Sequence, residues 1–298
     1  MTTAEERVAA GVSRTALMVA AARAIESNRD DALAVDGYAE HFVRALPDTE
    51  GWPLRIEDVA DGDADPLWGR LARYFGLRTR VFDDHLTRVA RAGTRQFVLL
   101  GAGLDTRALR LDWPSGCTVF EVDHEHVLAF KQRVLDGLGA SGGAARAPVA
   151  ADLRGTWTPR LVEAGFDPAA PTAWLAEGIF MFLSRAAERR LVRELDRLSA
   201  PGSGLAFEFK TFPADGAPVR TGPLYTVARK RIGVDLLSLF NPDPRPDSAT
   251  DLAARGWTAT SRAPFEFTRE HGRGPTPEPD DPLEDNRWIF AEKRGGWV

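Results

Sequence analysis

The sequence predicts an α/β fold, a mostly parallel seven-stranded sheet flanked by helices and set behind a helical N-terminal cap. Three observations predict it. Apolar residues recur at helical spacing through the first third of the chain. The middle alternates short β-type runs with helical stretches, the pattern of βαβ units with right-handed crossovers. One apolar run, Val98-Leu99-Leu100, passes directly into Gly101-Ala102-Gly103, a turn of the kind used at nucleotide-binding βα junctions.

The elements follow in order. A long amphipathic helix is expected from Glu5 to about Ser27, a second over Gly37 to Leu46 ended by Pro47-Asp48, and a third from Pro66 to Ala92 stopped by Gly93. Strands are expected at 96–100, 118–122, 147–150, 173–176 and 205–209, with helices at 125–138, 159–164 and 184–198 between them. Beyond the fifth strand, residues 211–247 look inserted and hold a polar loop and an amphipathic helix from Leu224 to Phe240; a helix at 249–255 follows. Two late runs, 257–261 and 287–291, suit an antiparallel edge pair, and the Pro-, Gly- and acid-rich stretch 272–285 between them reads as a surface loop. The domain reading is therefore one domain over 1–298, with 1–93 as cap and 94–298 as a Rossmann-like core.

Bulk properties narrow the function classes. The 298 residues carry a formal charge of −5, with 44% hydrophobic and 27% charged residues, the profile of a globular protein. An acidic balance argues against a nucleic-acid partner, and the short basic run Arg229-Lys230-Arg231 reads as an exposed helix face. Cys117 stands alone and precedes the apolar Val119-Phe120, which fits a buried strand residue; no Cys/His spacing marks a metal site. The acidic start Met-Thr-Thr-Ala-Glu-Glu-Arg is unlike a signal peptide, and no apolar stretch approaches the ~20 residues that span a bilayer. The expectation is a cytoplasmic protein with no membrane partner; oligomeric state is not legible.

The chemistry concentrates after Leu100. Asp123 follows Gly101 by 22 positions, where an acid would grip a ribose diol. The third glycine of a dinucleotide fingerprint is missing, and Asp105-Thr106-Arg107 stands in its place. A pyrophosphate would not favour an aspartate there, whereas a cofactor carrying a cationic amine would, and S-adenosylmethionine has that charge pattern. Asp152, beyond the third strand, could accept from an adenine amino group, with Leu153 packing on the ring; Glu177 ends the fourth strand. These acids sit at strand C-terminal ends, where ligands of open α/β sheets collect.

Taken together, Ser13-Arg14-Thr15-Ala16, Arg78-Thr79-Arg80-Val81-Phe82-Asp83-Asp84, Gly101-Ala102-Gly103-Leu104-Asp105-Thr106-Arg107, Glu121-Val122-Asp123, Ala151-Asp152-Leu153-Arg154 and Glu177-Gly178-Ile179-Phe180-Met181-Phe182-Leu183 make the chain resemble the leucine carboxyl methyltransferase family, including its bacterial small-molecule branch. The resemblance covers nearly the whole chain. It implies a class I S-adenosylmethionine-dependent methyltransferase in which Arg78 pairs with the methionine carboxylate, Gly101 and Gly103 line the cofactor turn, and Asp105, Glu121 and Asp123 belong to the cofactor site. It further implies that Asp152 and Leu153 frame the adenine, that Glu177 lies near the cofactor amine, and that Arg154 and position 182 meet the substrate. Arg23 is a further cofactor contact on the same ground. Position 182, often tyrosine in the family, is Phe182 here, which weighs against recognition of a protein C-terminal carboxylate.

Methyl transfer from a sulfonium is an in-line displacement, so the protein mainly positions the reactants and excludes water. A carboxylate acceptor, ionised near neutral pH, needs no base; a hydroxyl needs one. None of His41, His85, His124, His126 and His271 falls in a motif that demands a base, so no residue is assigned a catalytic role. The expected reaction is O-methylation of a small-molecule carboxylate or hydroxyl. The alternatives are a peptide or protein C-terminus as acceptor, a non-catalytic cofactor-binding scaffold, and a nicotinamide oxidoreductase, the last disfavoured by the Asp105 replacement.

Overall fold

The computed structural model describes residues 14–211, 222–241 and 248–294. The expected helix start at 5–13 and parts of the expected insertion, 212–221 and 242–247, lie outside them. The cap consists of helices α1 (Arg14–Ser27), α2 (Ala39–Arg44) and α3 (Trp68–Arg91). Helix α1 is rich in alanine, and Ala20, Ala21, Ala22 and Ala24 are all buried, which lets its backbone approach α3 closely. At that crossing a Cβ on Gly76 would overlap the Glu26 side chain, so glycine is what the approach requires.

The core sheet has strands β1 (Gln96–Leu100), β2 (Thr118–Asp123), β3 (Ala145–Ala150), β4 (Thr172–Ala176), β5 (Gly204–Lys210), β6 (Trp257–Arg262) and β7 (Asn286–Lys293), in spatial order β3-β2-β1-β4-β5-β7-β6. The first five pair in parallel; β7 runs antiparallel between β5 and β6. The late pair is thus antiparallel as expected, with β6 as the edge. Every residue of β1 and β4 is buried, as happens when helices cover both faces. Phe97, Leu99, Ala173 and Leu175 pack into the core shared with the cap helices. Val98, Leu100, Trp174 and Ala176 pack on the opposite face with Leu161 of α6 (Thr158–Glu163) and Leu191, Val192 and Leu195 of α7 (Arg185–Leu198). Between β1 and β2 the chain makes the short helix α4 (Arg107–Arg110), and between β2 and β3 it makes α5 (Glu125–Gly137).

The expected helix from Leu224 to Phe240 is two helices, α8 (Pro223–Ile232) and α9 (Leu236–Leu239). Gly233, at φ 65°, ends α8 in the left-handed conformation, and the Asp235 side chain caps α9 by accepting from Ser238 N at 3.2 Å. Arg229, Lys230 and Arg231 lie on the exposed side of α8, as expected, and Arg231 pairs with Asp65. Helix α10 spans Ser248–Ala254. Helix α11 (Pro264–His271) was not anticipated; its N-terminus is secured by Glu266, whose carboxylate accepts from Ala263 N at 2.8 Å. The stretch expected as loop, 272–285, closes with a 3₁₀ turn over Pro282–Asp285 that carries Leu283 into the core. Cys117 is buried as expected, but it lies just before β2 and not in the strand. Among the described residues no helix is long and apolar enough to cross a membrane.

Candidate functional site

Strand order reverses between β1 and β4, and an open α/β sheet presents its ligand crevice beyond the strand C-termini at such a point. Gly101 leaves β1 and Glu177 leaves β4 there. Gly101 and Gly103 have φ of 60° and 45°, the left-handed region that glycine enters without steric cost. A Cβ on Gly101 would overlap Ile179 Cδ1, so the turn passes directly beneath that side chain. Strand β2 braces the turn: Ala102 N donates to Val122 O at 3.0 Å and Gly103 N to Asp123 Oδ2 at 2.7 Å. The other Asp123 oxygen accepts from His124 N at 2.7 Å.

A cavity of about 260 Å³ extends from this turn. At its inner end it is lined by Arg23, Arg78, Gly101, Gly103, Asp105 and Glu177. A buried chain of charges organises that end. Arg78, on α3 and 6% exposed, donates from Nη1 to Glu208 Oε2 at 2.5 Å and pairs through Nη2 with Glu177 Oε1 at 2.8 Å. Arg107 bridges Glu177 Oε2 at 2.8 Å, Asp83 Oδ1 at 2.6 Å and Asp105. Asp83, in turn, accepts from Arg110 Nη2 at 2.8 Å. Burial alone would raise the Asp105 carboxyl, but the guanidinium of Arg107, with Lys131, Arg110 and Arg23 around it, outweighs burial and pulls it below the usual range. Burial opposes the charged form of Arg78 as well, and the facing Glu177 and Glu208 carboxylates more than restore it.

The outer end is apolar and aromatic. Phe182, 40% exposed, stacks on Phe240 with ring centroids 5.9 Å apart and planes at 8°. Tyr225 meets the same Phe240 ring edge-on at 6.4 Å, and Met181, Leu224 and Leu236 complete the wall. Its polar groups come from β5, β7 and α3. Lys210 Nζ donates to Pro282 O at 2.7 Å and to Asn286 Oδ1 at 3.2 Å; Asn286 Nδ2 donates to Tyr74 Oη at 2.6 Å; Tyr74 Oη donates to Glu208 Oε1. One hydrogen-bonded chain thus runs from Lys210 to Glu208 and on through Arg78 to Glu177. Burial, with the Glu208 charge, pushes the Tyr74 phenol well above its ordinary value, so it remains a donor.

Of the residues singled out in the sequence, Arg23, Arg78, Gly101, Gly103, Asp105, Glu177 and Phe182 meet in the cavity wall. Asp123 reaches the site by holding Gly103. Glu121 does not face the cavity: it is fully buried on β2 between Lys131 Nζ at 2.9 Å and Arg146 Nε at 2.8 Å, an internal ion pair that ties β2 to α5 and β3. Its even spacing from Asp123 put it on the face covered by α5. Asp152, Leu153 and Arg154 follow β3 and lie outside the cavity wall. Arg154 is turned onto Asp152, with Nη2 2.8 Å from Oδ2, and this hydrogen bonding holds the Asp152 carboxyl down at about 2. Sequence reasoning missed Tyr74, Glu208, Lys210, Tyr225 and Asn286. Glu208 had a signal, a charge inside the apolar run Leu205-Ala206-Phe207-Glu208-Phe209; the others, on α3, the end of β5, α8 and β7, are brought together only by packing. None of the five histidines lines the cavity.

The donor set can be tested against a sulfonium amino-acid cofactor. Arg78 Nε and Arg23 Nε are buried without hydrogen-bond partners among the described residues, a cost the fold would relieve by receiving polar ligand groups. The carboxylates of Asp105 and Glu177 supply the negative charge that an amine and a sulfonium require, and at Gly103, where a Cβ would meet only Gly101 O at 3.8 Å, the backbone is open to close approach. The residues fit that group.

The family profile described as leucine carboxyl methyltransferase matches residues 16–196. A Streptomyces coelicolor protein provisionally named an S-adenosyl-L-methionine-dependent methyltransferase is 57% identical over 292 residues, covering 98% of this chain and 96% of its own. A Saccharopolyspora erythraea protein with the same provisional name is 44% identical, covering 84% of each chain. Among solved structures, a provisionally assigned methyltransferase from Thermobifida fusca superposes with a TM-score of 0.51 at 17% identity, covering 91% of this chain and 96% of that one. A DUF574-family protein from Streptomyces avermitilis gives 0.53 at 17% identity, covering 90% and 98%.

Proposed function

We propose that the chain, which belongs to the leucine carboxyl methyltransferase family and is an S-adenosylmethionine-dependent methyltransferase of the class I fold, methylates a carboxylate or hydroxyl oxygen of a small apolar molecule. The observation that carries the acceptor reading is the continuity of one cavity from the glycine turn to the aromatic wall of Phe182, Phe240 and Tyr225. Its volume of about 260 Å³ is close to the lower end of small-ligand sites, ~300–1,000 Å³. A peptide C-terminus is less well served. Arg154, the arginine that the family resemblance implicates in gripping a substrate carboxylate, is paired with Asp152 outside the cavity, and Phe182 offers no hydroxyl.

When bound, S-adenosylmethionine supplies an electrophilic methyl group. The remainder is positioning by this chain's residues. Arg78 would hold the cofactor carboxylate, Asp105 and Glu177 would face its cationic part, and Asp123 would hold the ribose while bracing Gly103. Met181, Phe182 and Phe240 exclude water from the transfer region, which strengthens each electrostatic contact there. No histidine lines the wall, so a carboxylate acceptor needs nothing further from these residues, whereas a hydroxyl acceptor would need a base other than histidine.

Titration calorimetry with S-adenosylhomocysteine on wild type and Asp123→Ala tests the cofactor half. Loss of a hydrogen bond to a charged group, ~1.5–3 kcal/mol, would weaken binding by roughly 10- to 100-fold in the variant. Radiolabelled methyl transfer to a panel of small aryl acids and phenols, set against peptides ending in leucine, tests the acceptor half. Label appearing only on the peptides would overturn the small-molecule reading.

A further inference from the structure

The outer wall of the cavity contains a polar group, the Tyr225 hydroxyl, for which the described residues supply no partner. Tyr225, on α8, is 8% exposed, lines the cavity, and has no hydrogen-bond partner for its hydroxyl among the described residues. The residue is buried but its hydroxyl is not among the sealed, unpartnered polar atoms, so it remains open to a group that enters the cavity. A phenol with no protein partner in a cavity wall is free to donate to a ligand there. Phe182, where the family often carries a tyrosine, stacks on one side of Phe240, and Tyr225 stands edge-on to the same ring. Lys210 brings a cation to that ring as well, with Nζ 5.7 Å from its centroid.

We propose that Tyr225 is the acceptor-positioning residue of this enzyme, its hydroxyl donating to an oxygen of a planar apolar acceptor that lies along Phe182 and Phe240 beside the Lys210 ammonium. The inference rests on the small-molecule O-methylation reading and narrows it to acceptors that combine a flat apolar body with a carbonyl or ionised oxygen. Three features select that class. The stacked Phe182–Phe240 pair, with Phe182 substantially exposed, offers an aromatic face to a flat body. A phenol donor and an ammonium that both approach the Phe240 ring in one cavity wall favour an oxygen with excess electron density over an amine. Burial, with the charges of Asp285 and Asp281, pushes the Tyr225 phenol above its ordinary value, so at neutral pH it donates rather than accepts. Tyr225 acts by orienting the acceptor and takes no part in bond making.

The test uses 1-hydroxy-2-naphthoate as probe and 1-methylnaphthalene as its oxygen-free control. Each is titrated by fluorescence onto wild type and Tyr225→Phe saturated with S-adenosylhomocysteine, whose own binding is measured first by calorimetry. The expected result is a loss of roughly 10-fold or more in naphthoate affinity for Tyr225→Phe, the effect of one hydrogen bond to a charged oxygen, with methylnaphthalene affinity and S-adenosylhomocysteine affinity unchanged within twofold. A variant that merely loosened packing would weaken both probes equally, and that result overturns the proposal. So does wild type that binds S-adenosylhomocysteine but not the naphthoate at 1 mM-scale concentrations, or naphthoate binding that is indifferent to the substitution. Failure of wild type to bind S-adenosylhomocysteine would instead strike the cofactor assignment, and the proposal with it.

Discussion

Arg78 joins the buried Glu208 to the partly buried Glu177 on the neighbouring strand, and replacing it with methionine measures what that junction contributes. Glu177 would keep Arg107 at 2.8 Å and Glu208 would keep the Tyr74 hydroxyl, but each would lose its Arg78 contact, at 2.8 and 2.5 Å. The guanidinium also sits 4.5 Å from the Phe75 ring centroid. Breaking a buried ion pair from one side costs ~3–5 kcal/mol, most of it from the charge left behind. For a chain of 298 residues, that corresponds to a melting temperature lower by roughly 5–8 °C. The carboxylate left behind identifies the cause. Glu208→Gln in the Arg78→Met background removes one uncompensated charge, and the double variant should recover a third to a half of the loss in a thermal melt followed by near-UV circular dichroism. Strictly additive losses in this cycle, or an Arg78→Met variant within 1 °C of wild type, would refute the view that the ion chain is a coupled unit.

Other expectations follow from single contacts. Arg154→Ala should leave methyl transfer to small acceptors within about threefold of wild type, because an exposed pair of this kind contributes ~1 kcal/mol or less; steady-state kinetics on an identified acceptor checks it. His85, buried on α3 against Phe290, has its imidazole pushed from 6.5 down to about 4 by burial and by neighbouring Arg88. The unfolded chain therefore binds this proton first, and stability falls as pH drops from 6.5 towards 4, by up to about 3 kcal/mol in all. Urea midpoints across that window should slope less steeply in His85→Gln. Gly142→Ala would set a Cβ 2.6 Å from Ala108 O and Leu109 Cα, backbone atoms that cannot yield cheaply, so a loss of ~1–3 kcal/mol is expected by chemical denaturation.

Much of this protein is legible before folding because its signals are local. The apolar runs at 96–100 and 173–176 read as buried strands since helices cover both faces of the sheet, and hydrophobicity without alternation is the mark of that burial. The Gly101-Ala102-Gly103 turn and the acid at Asp123 were legible for the same reason, a fixed spacing between one strand end and the next. Helix ends were less so: Gly233 divides an apparently continuous amphipathic stretch because one left-handed residue overrides the periodicity on either side.

What only the tertiary structure decided is which of the chemically suitable residues share a space. Glu121 and Asp123 are two positions apart on one strand, yet one is sealed against Lys131 and Arg146 while the other braces the glycine turn after β1. Arg154 has the right type for substrate and spends its charge on Asp152. Tyr74, Glu208 and Asn286 come from α3, β5 and β7, hundreds of positions apart at the extremes, and become neighbours only because β7 inserts antiparallel beside β5 under the cap. Sequence spacing specifies faces and turns, which depend on backbone geometry over a few residues. The partners across the cavity depend on the order of strands and on the packing of cap against sheet, and no local pattern encodes those.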